Sequence, residues 1–170
     1  MKHSYLLSIL LLVLTLSGCA TKQDLTGLGC PETGYVREAS EITVFSTPDK
    51  IESRAVLRGL EGGCSFEGKT VEVNIETLIY AEIDPKAERK EAEIYNFFVT
   101  IMDPDSKLIG KKVFSTTINF NEETRSGLVK EKLTQRIPLN NLTESNKYKI
   151  MLGFQLDKEQ LRYNRERHEL

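Results

Sequence analysis

From Val71 to Ile83 every second position is apolar or threonine (Val71, Val73, Ile75, Thr77, Ile79, Ala81, Ile83), with polar Glu72, Asn74 and Glu76 between them. A two-residue period puts the first set on one face of a β-strand, so this segment predicts a strand with one wet face. Leu78 and Tyr80 carry apolar character to the second face, which implies cover there near the strand's end. Tyr148, Ile150, Leu152, Phe154 and Leu156 repeat the period. Ile42, Val44 and Ser46 mark a short first strand ended by Thr47-Pro48-Asp49, and Ala55, Leu57 and Gly59 a second that runs into Gly62-Gly63-Cys64. Ile94 to Met102 places Tyr95, Phe97, Val99 and Ile101 on one face and Ile94, Phe98 and Met102 on the other, the expectation for a central strand buried from both sides. Asp103-Pro104-Asp105-Ser106 is a turn by composition, and Leu108 to Phe120 returns from it with Phe114, Thr116, Ile118 and Phe120 inward. The two segments predict a hairpin.

Residues 82–93 read as a charged loop containing Asp84-Pro85. Leu128 to Ile137 is ambiguous, because Val129, Leu133 and Ile137 sit four apart and fit a helix face or alternate strand positions. Within a chain of strands it reads as a strand, ended by Pro138. Asp157 and Gln160 form a cap-like pair that opens a short terminal helix through Leu161 and Tyr163. About seven strands without β-α-β alternation predict an all-β fold. Its simplest form is a two-layer sandwich of immunoglobulin or fibronectin type III style with a short C-terminal helix. Leu139-Asn140-Asn141-Leu142, a polar turn and then Tyr148 resemble a tyrosine corner; an ordinary half-buried strand tyrosine is the competing reading.

The first residues follow a different rule. Lys2 and His3 precede an apolar run from Leu6 to Leu16, eleven residues and too short for the roughly 20 that span a bilayer. Leu16-Ser17-Gly18-Cys19 closes it and reads as a bacterial lipobox, with small side chains beside the cut. Three segments follow: a signal peptide over 1–18, a lipidated tether over 19–29, polar and glycine-bearing, and a β-sandwich domain over 30–170. Resemblance to bacterial lipoprotein signals implies a diacylglyceryl thioether on Cys19 and an N-acyl chain on its freed amine. Two or three chains give stable attachment where one is marginal. Ala20 follows Cys19 where many inner-membrane lipoproteins carry Asp, which favours the outer membrane.

Assigning Cys19 to lipid leaves Cys30 and Cys64 as an even pair, and an exported compartment favours their disulfide over two free thiols. Net charge excludes another class. Lys2 is the only charged residue of 1–18, so cleavage takes the formal charge from −2 to −3, without the basic footprint that nucleic acid requires. Trp is absent and only His168 survives cleavage, against histidine catalysis or a multi-histidine metal site. The chain has no G-x-S-x-G, H-E-x-x-H or phosphate-binding glycine loop. Gly59, Gly62 and Gly63 read as a bulge or turn before Cys64. Asp103 and Asp105 read as turn-formers before calcium ligands, which number six to eight. Arg162, Arg165, Arg167 and His168 make a basic end tempered by Glu166 and Glu169, and Asn141-Leu142-Thr143 is a chance sequon.

Cys30-Pro31-Glu32-Thr33-Gly34, Asp103-Pro104-Asp105, Lys111-Lys112-Val113-Phe114, Leu133-Thr134-Gln135-Arg136-Ile137-Pro138-Leu139 and Leu152-Gly153-Phe154-Gln155-Leu156 resemble segments of uncharacterised proteobacterial lipoproteins. The resemblance spans most of the chain after the signal and implies a compartment and a small β-domain, with no activity attached. The expectation is an outer-membrane-anchored periplasmic lipoprotein that acts as a binding or scaffolding module. It is not an enzyme, has no cofactor or metal, and meets the membrane through Cys19 and an envelope protein partner, not nucleic acid. The alternative is a carrier or sensor holding a small envelope ligand between its sheets.

Overall fold

A computed structural model describes residues 28–47 and 50–168. Cys19 and the segments read as signal peptide and tether, apart from Leu28 and Gly29, lie outside the described residues. One sheet runs in the order β1 (Glu32–Tyr35), β8 (Lys149–Phe154), β5 (Ala92–Met102), β6 (Leu108–Asn119). The other runs β2 (Glu41–Thr47), β3 (Lys50–Glu67), β4 (Thr70–Ile83), β7 (Ser126–Pro138). Every hydrogen-bonded neighbour pair is antiparallel except β1 with β8. The fold is an all-β two-sheet sandwich closed by one helix, α1 (Lys158–His168).

Strand β4 carries the core as its alternation requires. Val71, Val73, Ile75, Thr77, Ile79, Ala81 and Ile83 are all buried, and they meet Tyr95, Phe97, Val99, Ile118, Ile150, Leu152 and Phe154 from the facing sheet. The Phe97 and Phe114 rings stack at 5.4 Å between β5 and β6. Ser126 to Pro138 is a strand: β7 pairs with β4 without interruption from Thr70↔Pro138 to Glu82↔Ser126. Asp157 and Gln160 cap α1 reciprocally, the Asp157 carboxylate accepting from the Gln160 amide (2.8 Å) and the Gln160 carbonyl oxygen accepting from the Asp157 amide (2.9 Å). The helix docks through Asn164, whose buried side chain donates to the Glu38 and Glu41 carbonyls, both at 2.8 Å.

Strand β3 changes parity part-way. Ser53, Ala55 and Leu57 face the core opposite Ile83, Ala81 and Ile79, whereas Gly62, Cys64 and Phe66 lie opposite Ile75, Val73 and Val71. The register slips by one residue between Arg58 and Glu61, and Gly59 there has φ +63°. A glycine in the left-handed region with one extra residue is a β-bulge, and it turns Cys64 inward although an unbroken odd-numbered series would turn it out.

Three expectations need correction. Among the described residues the strands number eight, because Glu32–Tyr35 adds β1; four residues without apolar alternation are held there by parallel pairing to β8. Strand β5 is buried from one side: Tyr95, Phe97 and Val99 are sealed, but Ile94 is 65% exposed and Phe98 and Met102 are half-buried. Its second face points away from the opposite sheet; Ala39 covers it beside Phe98, where a Cβ on Gly153 would lie 2.8 Å from both. Tyr148 is an ordinary core tyrosine, 5% exposed, that ends a 3-10 segment (Leu142–Lys147). Among the described residues its hydroxyl makes no corner hydrogen bond.

Candidate functional site

Cys30 and Cys64 are joined, with their Cα atoms 5.7 Å apart. The bond ties the chain two residues before β1, an edge strand of one sheet, to β3, an interior strand of the other. Gly62 faces β1 beside it, where a Cβ would meet Thr33 Oγ1 in ordinary van der Waals contact at 3.8 Å. Near the bulge the Tyr35 hydroxyl meets Thr77 Oγ1 at 2.8 Å, a second cross-sheet link from β1. Burial pushes the Tyr35 phenol above its ordinary value, with the Thr77 bond working the other way. The described chain thus enters the domain beside one covalent and one polar cross-sheet bond.

The outer face of β3, β4 and β7 is a cross-strand ladder. Arg136 pairs with Glu72 at 2.8 Å, Thr134 donates to Asn74 at 2.7 Å, and Glu76 holds both Lys132 (2.8 Å) and Lys130 (3.0 Å). Hydrogen bonds from the two lysines hold the Glu76 carboxyl below its ordinary value. Gly63, opposite Asn74, puts no side chain beside this ladder, and an open cleft of about 530 Å³ lies there, bordered by Glu61, Asn74, Glu76, Lys132 and Thr134.

A buried polar network, invisible in the sequence, lies where β3 and β5 face each other. The Tyr95 hydroxyl donates to Ser53 Oγ (2.9 Å) or Glu93 Oε2 (3.0 Å), the Ser53 hydroxyl donates to Glu93, and Lys90 bridges Glu93 (3.1 Å) and Glu52 (3.2 Å). Burial drives the Tyr95 phenol far up, opposed by the Ser53 bond and reinforced by the Glu93 and Glu52 charges. Burial works against the Lys90 ammonium, but the bonds and charges of both glutamates outweigh it and raise its pKa. Ser53 is wholly buried and its oxygen is occupied from two sides, so this set seals the core edge and presents no nucleophile to solvent. The signal that points to it is the polar Ser53 at an inward position of β3.

The remaining candidates resolve into local structure. Asp103 Oδ1 accepts the Asp105 and Lys107 amides (3.0 and 2.9 Å), a turn-former's role. Asn141 Oδ1 accepts the Thr143 amide and hydroxyl (3.1 and 2.9 Å) and so caps the 3-10 segment. In the basic end Arg167 pairs with Glu41 at 3.1 Å, Arg162 with Glu166 at 3.5 Å, and the His168 carbonyl accepts from Arg37 at 3.3 Å. Among the described residues no three His, Cys, Asp or Glu side chains converge as a metal cluster.

No protein-family model and no curated protein matches the chain. Among solved structures it is similar to a DUF1425 family member from Shewanella sp. pv-4. The identity is 8% and the TM-score 0.37, over 71% of this chain and 94% of that one. That protein belongs to an uncharacterised bacterial family. The fold assignment stands on this chain's own strand order and core.

Proposed function

We propose that the protein is an outer-membrane lipoprotein, attached through lipid on Cys19, whose β-sandwich works in the periplasm as a binding or scaffolding module for an envelope protein. The observation that carries this reading is the Cys30–Cys64 bond. Disulfides persist in oxidising compartments, and this one leaves Cys19, at the end of the lipobox, as the third cysteine. The lipid confines the domain to a thin layer and raises its effective concentration toward membrane-bound partners. An interior filled by Tyr95, Phe97, Phe154 and the aliphatic rows supports interaction at the surface over carriage of a ligand between the sheets.

Fractionation of cells expressing Cys19→Ser tests the reading. Wild-type protein is expected in the outer membrane with acyl mass on Cys19, and the variant without it and released from that membrane. Wild type that carries no acyl group, or a variant that stays in the outer membrane, overturns the reading.

A further inference from the structure

Among the described residues, four of the five large exposed apolar side chains, Ile94 (65%), Leu108 (54%), Ile109 (49%) and Val113 (48%), lie on β5 and β6. Cross-strand pairing makes part of this set continuous. Val113 lies beside Phe98, and Leu108 beside Met102. On the other flank of β5, Met151 lies beside Thr100. Lysines are interleaved with them. Lys111 sits between Val113 and Leu108 with Nζ 4.6 Å above the Phe98 ring, Lys107 is exposed in the turn before β6, and Lys112, opposite Val99, is exposed at the β6 edge with Nζ 5.0 Å above the Phe114 ring. Among the described residues none of these three has an ion pair. Three lysines there meet two turn carboxylates, Asp103, whose Oδ1 accepts the Asp105 and Lys107 amides, and the exposed Asp105.

We propose that this face, the outer side of the β1-β8-β5-β6 sheet with its β6 edge, rests on a bilayer of anionic phospholipid. Lysines on an edge strand are a common guard against edge-to-edge pairing. That role explains Lys111 and Lys112 but not three exposed aliphatics beside them. Aliphatic side chains that enter the acyl boundary, with ammonium groups at headgroup level, explain both. A second copy on this edge would set the lysines of one copy against those of the other. The proposal rests on the lipid attachment above only for what brings the domain to the membrane. The eleven residues 19–29 reach at most about 40 Å, and Cys30 adjoins β1, three strand spacings or about 14 Å from β6 in the same sheet. In this orientation the charged ladder of β4 and β7 faces the periplasm.

Amine acetylation of the full processed protein, read at each lysine by mass spectrometry, tests the face. The protein is compared on vesicles of phosphatidylcholine, on vesicles of phosphatidylethanolamine with phosphatidylglycerol, and in neutral detergent. Lys107, Lys111 and Lys112 are expected to react at least about threefold more slowly on the phosphatidylglycerol vesicles, while Lys130 and Lys132 keep their rates. Lys111→Glu with Lys112→Glu, both exposed, should abolish the protection of Lys107. Equal rates on both vesicles, or protection of Lys130 and Lys132 instead, overturns the proposal. Protection in detergent that grows with protein concentration overturns it in favour of a second copy. A protein without acyl mass defeats the tethering reading alone, because the same footprint with added vesicles still reads this face.

Discussion

Gly59 holds a backbone conformation, φ +63°, that costs an L-residue about 1–2 kcal/mol, and its bulge sets the parity of all that follows in β3. Gly59→Ala also brings a methyl to 3.1 Å from Leu78 Cδ1, a flexible tip that yields. The backbone term therefore dominates, and denaturant unfolding should show a loss of about 1–2 kcal/mol. Tyr95 shows the other kind of residue effect. Burial raises its phenol above the ordinary 10.0, so on alkalisation the unfolded chain loses this proton first. Stability is then fully present below about pH 10 and is lost as pH rises toward the folded value, at up to about 1.4 kcal/mol per pH unit. Lys90, raised from 10.5, has the same sign, its contribution present below that value and lost above it. Urea titrations either side of pH 10 should find this slope in the wild type and a shallower one in Tyr95→Phe; equal slopes would show that Tyr95 does not carry it.

At the scale of elements the disulfide and β1 form one unit. Four residues in parallel pairing make a weak edge, and the covalent bond to β3 keeps them in register. Closing a loop with a sequence separation of 34 is worth about 3–4 kcal/mol in the chain-entropy model. Reduction should cost that amount in unfolding experiments, and hydrogen exchange should show β1 and the facing edge of β8 losing protection before β4. Legibility in the sequence divides along the same line. Strand β4 and the β5–β6 hairpin could be read directly, because burial on one face writes a two-residue period. Strand β1 could not: Glu32-Thr33-Gly34-Tyr35 has no period, and what holds it comes from Cys64, Thr77 and β8, remote in sequence. The second face of β5 misled for a different reason. Ile94, Phe98 and Met102 look like core whether protein or something else covers them. Pattern reports apolarity and not the identity of the cover. The Ser53–Glu93–Tyr95–Lys90 network was equally hidden, since its members share no motif and meet only when the sheets pack.

The whole molecule turns two unlike faces outward from one core: a paired, charged ladder on one sheet, and apolar side chains with unpaired lysines on the other. A formal charge of −2 is silent on this asymmetry, because a sum over the chain does not record whether charges lie paired in a ladder or unpaired among apolar side chains. The cysteines give the same whole-molecule picture a count that can be tested. If Cys19 is a thioether and Cys30–Cys64 a disulfide, protein purified from the envelope and denatured without reductant should consume no thiol reagent. After reduction it should consume two equivalents, since a thioether does not reduce. One equivalent before reduction would mean that Cys19 is free and the anchor absent, with the disulfide intact. Two would mean the reverse, a lipid anchor with an open disulfide. The full chain made in a reducing cytosol should show three, and should be less stable than the envelope protein by the cost of the missing cross-link, about 3–4 kcal/mol. Those counts would couple export to folding, because the disulfide that ties the start of the described chain to β3 reaches full strength only in an oxidising compartment.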